Sequence, residues 1–226
     1  MERDQSTAHT ETGFQALANY ATASHAVVLR VALRGFSKSV GQPSPQDMRS
    51  MLEEYIEFVS AIGRANGGDV FGLDSESVTI GFILREEAQA NSRATAAVRA
   101  AKQLLDGFEK VSNRWCQRTE ARVALSIGLH QGEVIAASPD SNPRHTPTVV
   151  GDAVNVADRL AQRARAGEAI LSAPVREALR NQLPEFQIKP LGGMTFADRT
   201  RRVDIYCIPR AERLELGAIR HPSAQH

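Results

Sequence analysis

Cysteine is nearly absent from this chain. Cys116 and Cys207 are the only two among 226 residues, and each sits beside an aromatic residue, Trp115 and Tyr206. No Cys-x-x-Cys or Cys/His spacing surrounds them, which excludes a disulfide framework or a zinc site of ordinary spacing. Two free thiols in apolar settings suit a reducing compartment. Aromatic residues are also scarce, at 5% with a single tryptophan. No apolar run approaches the roughly 20 residues that cross a bilayer. The opening MERDQSTAHTETGF is polar and acidic, unlike a secretory signal. Charge of one sign is lacking too: 27 Lys and Arg balance 26 Asp and Glu, so no global field draws the protein to nucleic acid or an anionic membrane. The expectation is a cytoplasmic protein with no nucleic-acid partner and no membrane span.

What is present is an ordinary globular composition, 42% hydrophobic, in a length that suits one domain with terminal extensions. Residues 1–24 read as an N-terminal extension, disordered to about residue 12 and helical over 13–24. Residues 26–33, AVVLRVAL, are rich in β-branched residues and predict a strand. Ser44-Pro45 suits a helix start, and Met48, Met51, Leu52, Tyr55, Ile56, Val59 and Ile62 follow at helical spacing until Gly63 and Gly67. Residues 69–73 and 77–84 predict strands around a turn, and 87–112 a second helix. Residues 122–129 and 133–137 predict two strands with a turn at Gly128–Glu133, in which His130 has a structural part. A helix over 151–165, a short AILS strand, a helix opening at Ser172-Ala173-Pro174, and strands over 186–189 and 203–208 complete the order. Arg199, Arg201 and Arg202 read as a solvated hairpin, and 211–226 as a flexible tail. This order predicts an α+β fold, helices against a mostly antiparallel sheet.

The most informative stretch is residues 145–171, HTPTVVGDAVNVADRLAQRARAGEAIL. Val149 and Val150 end a strand, Gly151 turns the chain, and Asp152 serves as N-cap. Val154, Ala157, Leu160 and Ala161 share an apolar face. Asn155 and Arg159, four residues apart, stack along another face. An arginine there can meet phosphate in bidentate fashion, and an asparagine can orient a sugar or phosphate oxygen. A solvated Asn/Arg pair on an amphipathic helix has the same spacing.

The wider run TVVGDAVNVADRL resembles the signature of class III nucleotidyl cyclases, the adenylyl and guanylyl cyclases, through Thr148, Val154, Asn155, Ala157 and Arg159. The resemblance spans residues 25–208 of a domain placed at 25–210. It implies a ferredoxin-like βαββαβ core with an appended β-α unit and a late hairpin. It also implies attack of a ribose 3′-hydroxyl on the α-phosphate of ATP or GTP, with Mg or Mn as cofactor. By the same resemblance Thr148 reads the purine, Asn155 orients the ribose and Arg159 serves the transition state. Arg34, Gly35 and Phe36 belong to the substrate-binding strand end.

Departures from the family pattern are concentrated at the metal positions. The pattern F-A-D-I-R-G-F-T appears here as Arg30-Val31-Ala32-Leu33-Arg34-Gly35-Phe36-Ser37, so Ala32 stands where the family has a metal-binding aspartate. In GGDVFGLDSESVTIGF, an ungapped alignment gives Glu76 the second aspartate's position, as a weak cation ligand or as one residue of an acidic turn, and Gly72 that of an adenine-reading lysine. Asp74 shares the Glu76 side of an extended chain. A late Leu-Lys-Gly reads Leu191-Gly192-Gly193. Gly67-Gly68-Asp69-Val70-Phe71 also looks like the GGDEF motif of diguanylate cyclases, but Val70 replaces its glutamate and that family has no VGDAVNVADRL helix. Family sites form between two protomers, metal aspartates from one and the Asn/Arg helix from the other. The resulting expectation is a signalling or regulatory dimerisation module, homodimeric or paired with another cyclase domain, weak or inactive alone. A nucleotidyl cyclase completed by a heterologous partner is the alternative.

Overall fold

Residues Ala26–Leu33 are apolar apart from one arginine, and a strand so buried on both faces belongs in the middle of a sheet. The computed structural model, which describes residues 22–36, 43–74, 76–119, 122–137, 148–180, 186–195 and 202–208, places them there. β1 (Thr22–Arg34) runs antiparallel to both β3 (Ser77–Leu84) and β4 (Ala124–Ala137). β2 (Asp69–Asp74) pairs with β3, and β5 (Thr148–Val150) with the end of β4. On the other side follow β6 (Glu168–Ser172), β8 (Val203–Ile208) and β7 (Lys189–Met194). The order is β2-β3-β1-β4-β6-β8-β7, with β5 beside β4, and the one parallel pairing among these is β4 with β6.

Helices cover the two faces unequally. α1 (Pro45–Ala65) begins at Ser44, whose Oγ accepts from the Asp47 amide at 3.1 Å. α2 (Ala90–Thr119) follows a 3-10 turn at Glu87–Gln89. These two and α4 (Ala173–Leu179) bury Met51, Tyr55, Leu104, Trp115 and Leu179 against Val27, Leu29, Val31 and their neighbours. α3 (Asp152–Arg163) packs on the opposite face, with Ala153 and Ala157 on Ala26 and Val28, and Val156 and Leu160 on Ile170 and Ile205.

The α+β fold is as expected, and four details differ. Residues 22–24 are strand rather than the end of a helix, because the β1–β4 ladder continues to Thr22 opposite Ala136. The expected turn at Gly128–Glu133 is absent: β4 is continuous, since β1 supplies a partner for every residue from Ala124 to Ala136. The strand expected at 186–189 lies at Lys189–Met194, and Phe186 is instead a buried core residue. Gly151, with φ 136°, takes the cap position given to Asp152, which is the first helical residue. Cys207 is buried and Cys116 half-buried, both as free thiols. Among the described residues no helix is long and apolar enough to cross a membrane.

Candidate active site

α3 lies close on the sheet because β4 has no side chain beneath it at Gly128. A Cβ there would come within 2.0 Å of the Ala157 carbonyl oxygen and 2.4 Å of the Ala161 amide nitrogen. Gly151 allows the chain to leave β5 and enter the helix past Glu133, whose carbonyl oxygen is 3.0 Å from its would-be Cβ. The Gly151 carbonyl accepts from the Val154 amide at 3.1 Å. Negative charge at Asp152 suits the first turn of the helix.

This seating buries Ala153, Val156, Ala157, Leu160 and Ala161. It leaves Asn155 exposed and Arg159 half-exposed on the far side. Thr148, half-buried, begins the strand that leads into α3. The three residues assigned to base, ribose and transition state therefore lie on one β5–α3 unit.

Two arginines of β1 hold α3 from below. Alternation places Arg30, Ala32 and Arg34 on the same face, the face that α3 covers. Arg30 Nε donates to Asp158 Oδ1 at 3.0 Å and Nη1 donates to Thr79 Oγ1 at 2.6 Å. Gln162 Nε2 donates to the other Asp158 oxygen at 2.6 Å, so a chain of polar contacts crosses β3, β1 and α3. Arg34 grips the other end of the helix. Its Nε donates to Ser126 Oγ at 2.9 Å, and Nη2 donates to the Ala161 carbonyl at 2.9 Å and to those of Gln162 and Ala164. A cation suits those unsatisfied C-terminal carbonyls.

Gly35 and Phe36 are equally committed to the framework. Gly35 has φ 86°, a Cβ there would lie 2.6 Å from the Arg122 carbonyl oxygen, and Phe36 is buried in the α1–α2 core. The contacts of Arg34, Gly35 and Phe36 are thus those of a scaffold that positions α3 and closes the strand end.

At the metal positions, Ala32 pairs with Ser77 of β3 and Ser126 of β4. The Leu33 amide donates to the Glu76 carbonyl at 2.8 Å, and Tyr55 Oη donates to the Val31 carbonyl at 2.8 Å. The backbone of Glu76 therefore abuts the end of β1, one ladder step from Ala32, with its side chain half-buried. Burial pushes the Tyr55 hydroxyl far above its ordinary range, so it stays protonated and a donor. Gly72 has φ 104° and open space around its would-be side chain. Among the described residues no three His, Cys, Asp or Glu groups converge as a metal site. The Asp74 side chain lies outside the described residues, as do Ser37, His145, Arg199 and Arg201.

His130 is buried within β4, with Nδ1 2.8 Å from Ser172 Oγ. It ties β4 to the β6–α4 junction. Sequence reasoning missed Arg30, Asp158 and Gly128. The signal for the first two was a lone arginine inside an apolar strand and an aspartate four residues before Gln162.

Comparison with known proteins gives a consistent result. The family profile described as the adenylate and guanylate cyclase catalytic domain matches residues 20–208. Adenylate cyclase 1 of Rhizobium meliloti is 27% identical over 165 residues, which are 72% of this chain and 24% of that protein. The chain thus spans about a quarter of that relative's length. Among solved structures, the adenylyl cyclase CyaB from P. aeruginosa superposes with a TM-score of 0.73 at 20% identity, covering 87% of this chain and 99% of that one. The guanylate cyclase domain of RhGC from Catenaria anguillulae, solved in complex with GTP, gives 0.70 at 20% identity, covering 85% and 100%. At such identities the structural likeness speaks for the fold.

Proposed function

This chain belongs to the adenylate and guanylate cyclase catalytic domain family, and within it we propose that the chain acts as a regulatory dimerisation module, weak or inactive as a cyclase on its own. The observation that carries this reading is Ala32, flanked on its ladder by Ser77 and Ser126 where the family needs a carboxylate. A methyl group cannot ligate a metal. Glu76 is then left as the acidic residue of the pair, with weak cation affinity, and Gly72 and Gly192 offer no lysine to base or phosphate. Mg or Mn, when bound in a cyclase of this family, acidifies the ribose 3′-hydroxyl and clamps the phosphates. The described residues of this chain do not make a site that fits such an ion.

The retained residues are those that bind and orient. On this reading Thr148 meets the purine, Asn155 holds the ribose and Arg159 faces the α-phosphate, while Arg34, Gly35 and Phe36 keep α3 and the strand end in place. The ligand is ATP or GTP, and the partner is a second copy or another cyclase domain. Losing a two-metal clamp removes several kcal/mol of transition-state stabilisation, and each ~1.4 kcal/mol is tenfold in rate. Turnover roughly three orders of magnitude below a competent cyclase is therefore expected.

The test is cyclic-nucleotide production by purified protein with ATP or GTP and manganese. No product, or a trace unaffected by Asn155→Ala, is the expected result. Metal-dependent turnover that Asn155→Ala abolishes overturns the proposal. A second reading has its own support, because Asn155 is exposed on an intact α3. Mixing the chain with a cyclase domain that keeps its aspartates but lacks the Asn/Arg pair would then restore activity through one composite site.

A further inference from the structure

Loss of the aspartate at position 32 is accompanied by a second change on the same strand face. Arg30 stands where the family pattern has phenylalanine, two residues from Ala32 and on its side of the sheet. Two residues of strand are about 7 Å. Arg34, two residues on in the other direction, belongs to that pattern, and Arg30 does not. Ala32 thus lies between two arginines along one strand face.

We propose that Arg30 excludes divalent cations from this face, so that the vestigial metal position is closed by charge as well as by the missing carboxylate. The inference rests on reading Ala32 and Glu76 as the remnant of a metal site. Three observations carry it. Arg30 is held in place rather than swung into solvent, being 8% exposed with Nε on Asp158 and Nη1 on Thr79. Asp158 does not replace the lost ligand, because one of its oxygens takes Arg30 and the other takes Gln162. On its ladder Ala32 is flanked by Ser77 and Ser126, which bring hydroxyls and no carboxylate to offset the Arg30 charge.

A like charge in a partly buried site is screened much less than at the surface. An aspartate restored at position 32 would also share its strand face with Arg30, two residues away. Attraction to that arginine, absent where the family has phenylalanine, would compete with a metal for the carboxylate. Restoring Ala32→Asp, Gly72→Lys and Glu76→Asp while Arg30 remains is accordingly insufficient to rebuild the metal site.

The experiment is calorimetric titration with manganese alone, which needs neither nucleotide nor turnover. The proteins are the wild type, Ala32→Asp, Ala32→Asp with Arg30→Gln, and Ala32→Asp with Arg30→Phe and Asp158→Ala. The glutamine variant keeps a donor for Asp158 while removing the charge, and so preserves a folded comparison if the triple variant does not fold. Binding at least tenfold tighter in either Arg30-substituted protein than in Ala32→Asp is the expected result. Equal gain in Ala32→Asp alone overturns the proposal, as does no gain in any folded variant. A wild type that makes cyclic nucleotide would sink the proposed function, whereas the manganese series judges Arg30 separately.

Discussion

At the scale of single residues, the Arg30–Asp158 pair has a built-in asymmetry. The Arg30 side chain is 10% exposed and that of Asp158 is 33% exposed. Removing the aspartate takes the counter-charge from a buried guanidinium that keeps its bond to Thr79, at a cost below the ~3–5 kcal/mol of breaking a fully buried pair. Removing the arginine leaves a carboxylate that water reaches, which costs much less. Asp158→Ala should therefore destabilise more than Arg30→Met in urea unfolding, and adding Arg30→Met to Asp158→Ala should recover part of the loss. Equal costs would mean that the guanidinium is solvated after all. The sequence made Asn155 and Arg159 visible through helical spacing and family likeness. It did not make this pair visible, because nothing local marks two residues 128 positions apart as partners. Arg34 was legible as part of a motif. Its use as the cap of a distant helix was not, since that depends on where α3 ends in space.

At the scale of elements, the contact between α3 and β4 is backbone against backbone. Gly128→Ala would drive a methyl group into the Ala157 carbonyl, which no side-chain rotation relieves. Overpacking of this kind costs about 1–3 kcal/mol and sometimes more, and the upper end is expected here. In a domain of this size each kcal/mol lowers Tm by roughly 2–4 °C, so a thermal melt reads the effect directly. The α1–α2 contact adds a polar cluster to ring packing of Tyr55 and Phe58 on Phe108. Glu54 accepts from Trp115 Nε1 at 2.6 Å and pairs with Arg114. Burial acts to raise the Glu54 carboxyl, but the hydrogen bonds from Trp115 and Arg114 and the charges of Arg114 and Arg118 together bring it below its usual 4.5. A depressed carboxyl contributes stability that is complete above the unfolded value and is lost as pH falls through the folded one. Glu54→Gln should thus lower Tm at pH 7, and the difference from wild type should shrink below about pH 4; a constant difference across pH would refute the assignment. Both helices were legible from their apolar spacing. The expected break in β4 was an error with a clear cause: glycines at 128 and 132 look like turn residues, yet they serve a close helix approach and the His130 and Ala153 contacts.

At the scale of the whole molecule, the sequence order of strands and helices predicted the α+β class, and the sheet carries that order out. The proposed dimer is a matter for measurement on the protein in solution. Light scattering of purified protein should give twice 24.6 kDa, and the same mass should be seen for Asn155→Ala, because that side chain is exposed on α3 rather than packed in the core. A monomer at micromolar concentration would remove the homodimer and leave pairing with another cyclase domain as the only route to a composite site. The departures at Ala32 and Gly72 were legible only against the family pattern. The contacts of Arg30 with Asp158 and Thr79 were not legible, because those partners lie far away in sequence.

The central placement of β1 also has a consequence for how the protein is made. Its partners arrive late: β3 begins at Ser77, and β4 is complete only at Ala137, about a hundred residues after Arg34. At the ~5–20 residues per second of synthesis, an apolar strand waits roughly 5–20 s on the ribosome before its second edge is covered. Nascent chains arrested before residue 124 should therefore bind holdase chaperones strongly, and those extended past β4 should release them.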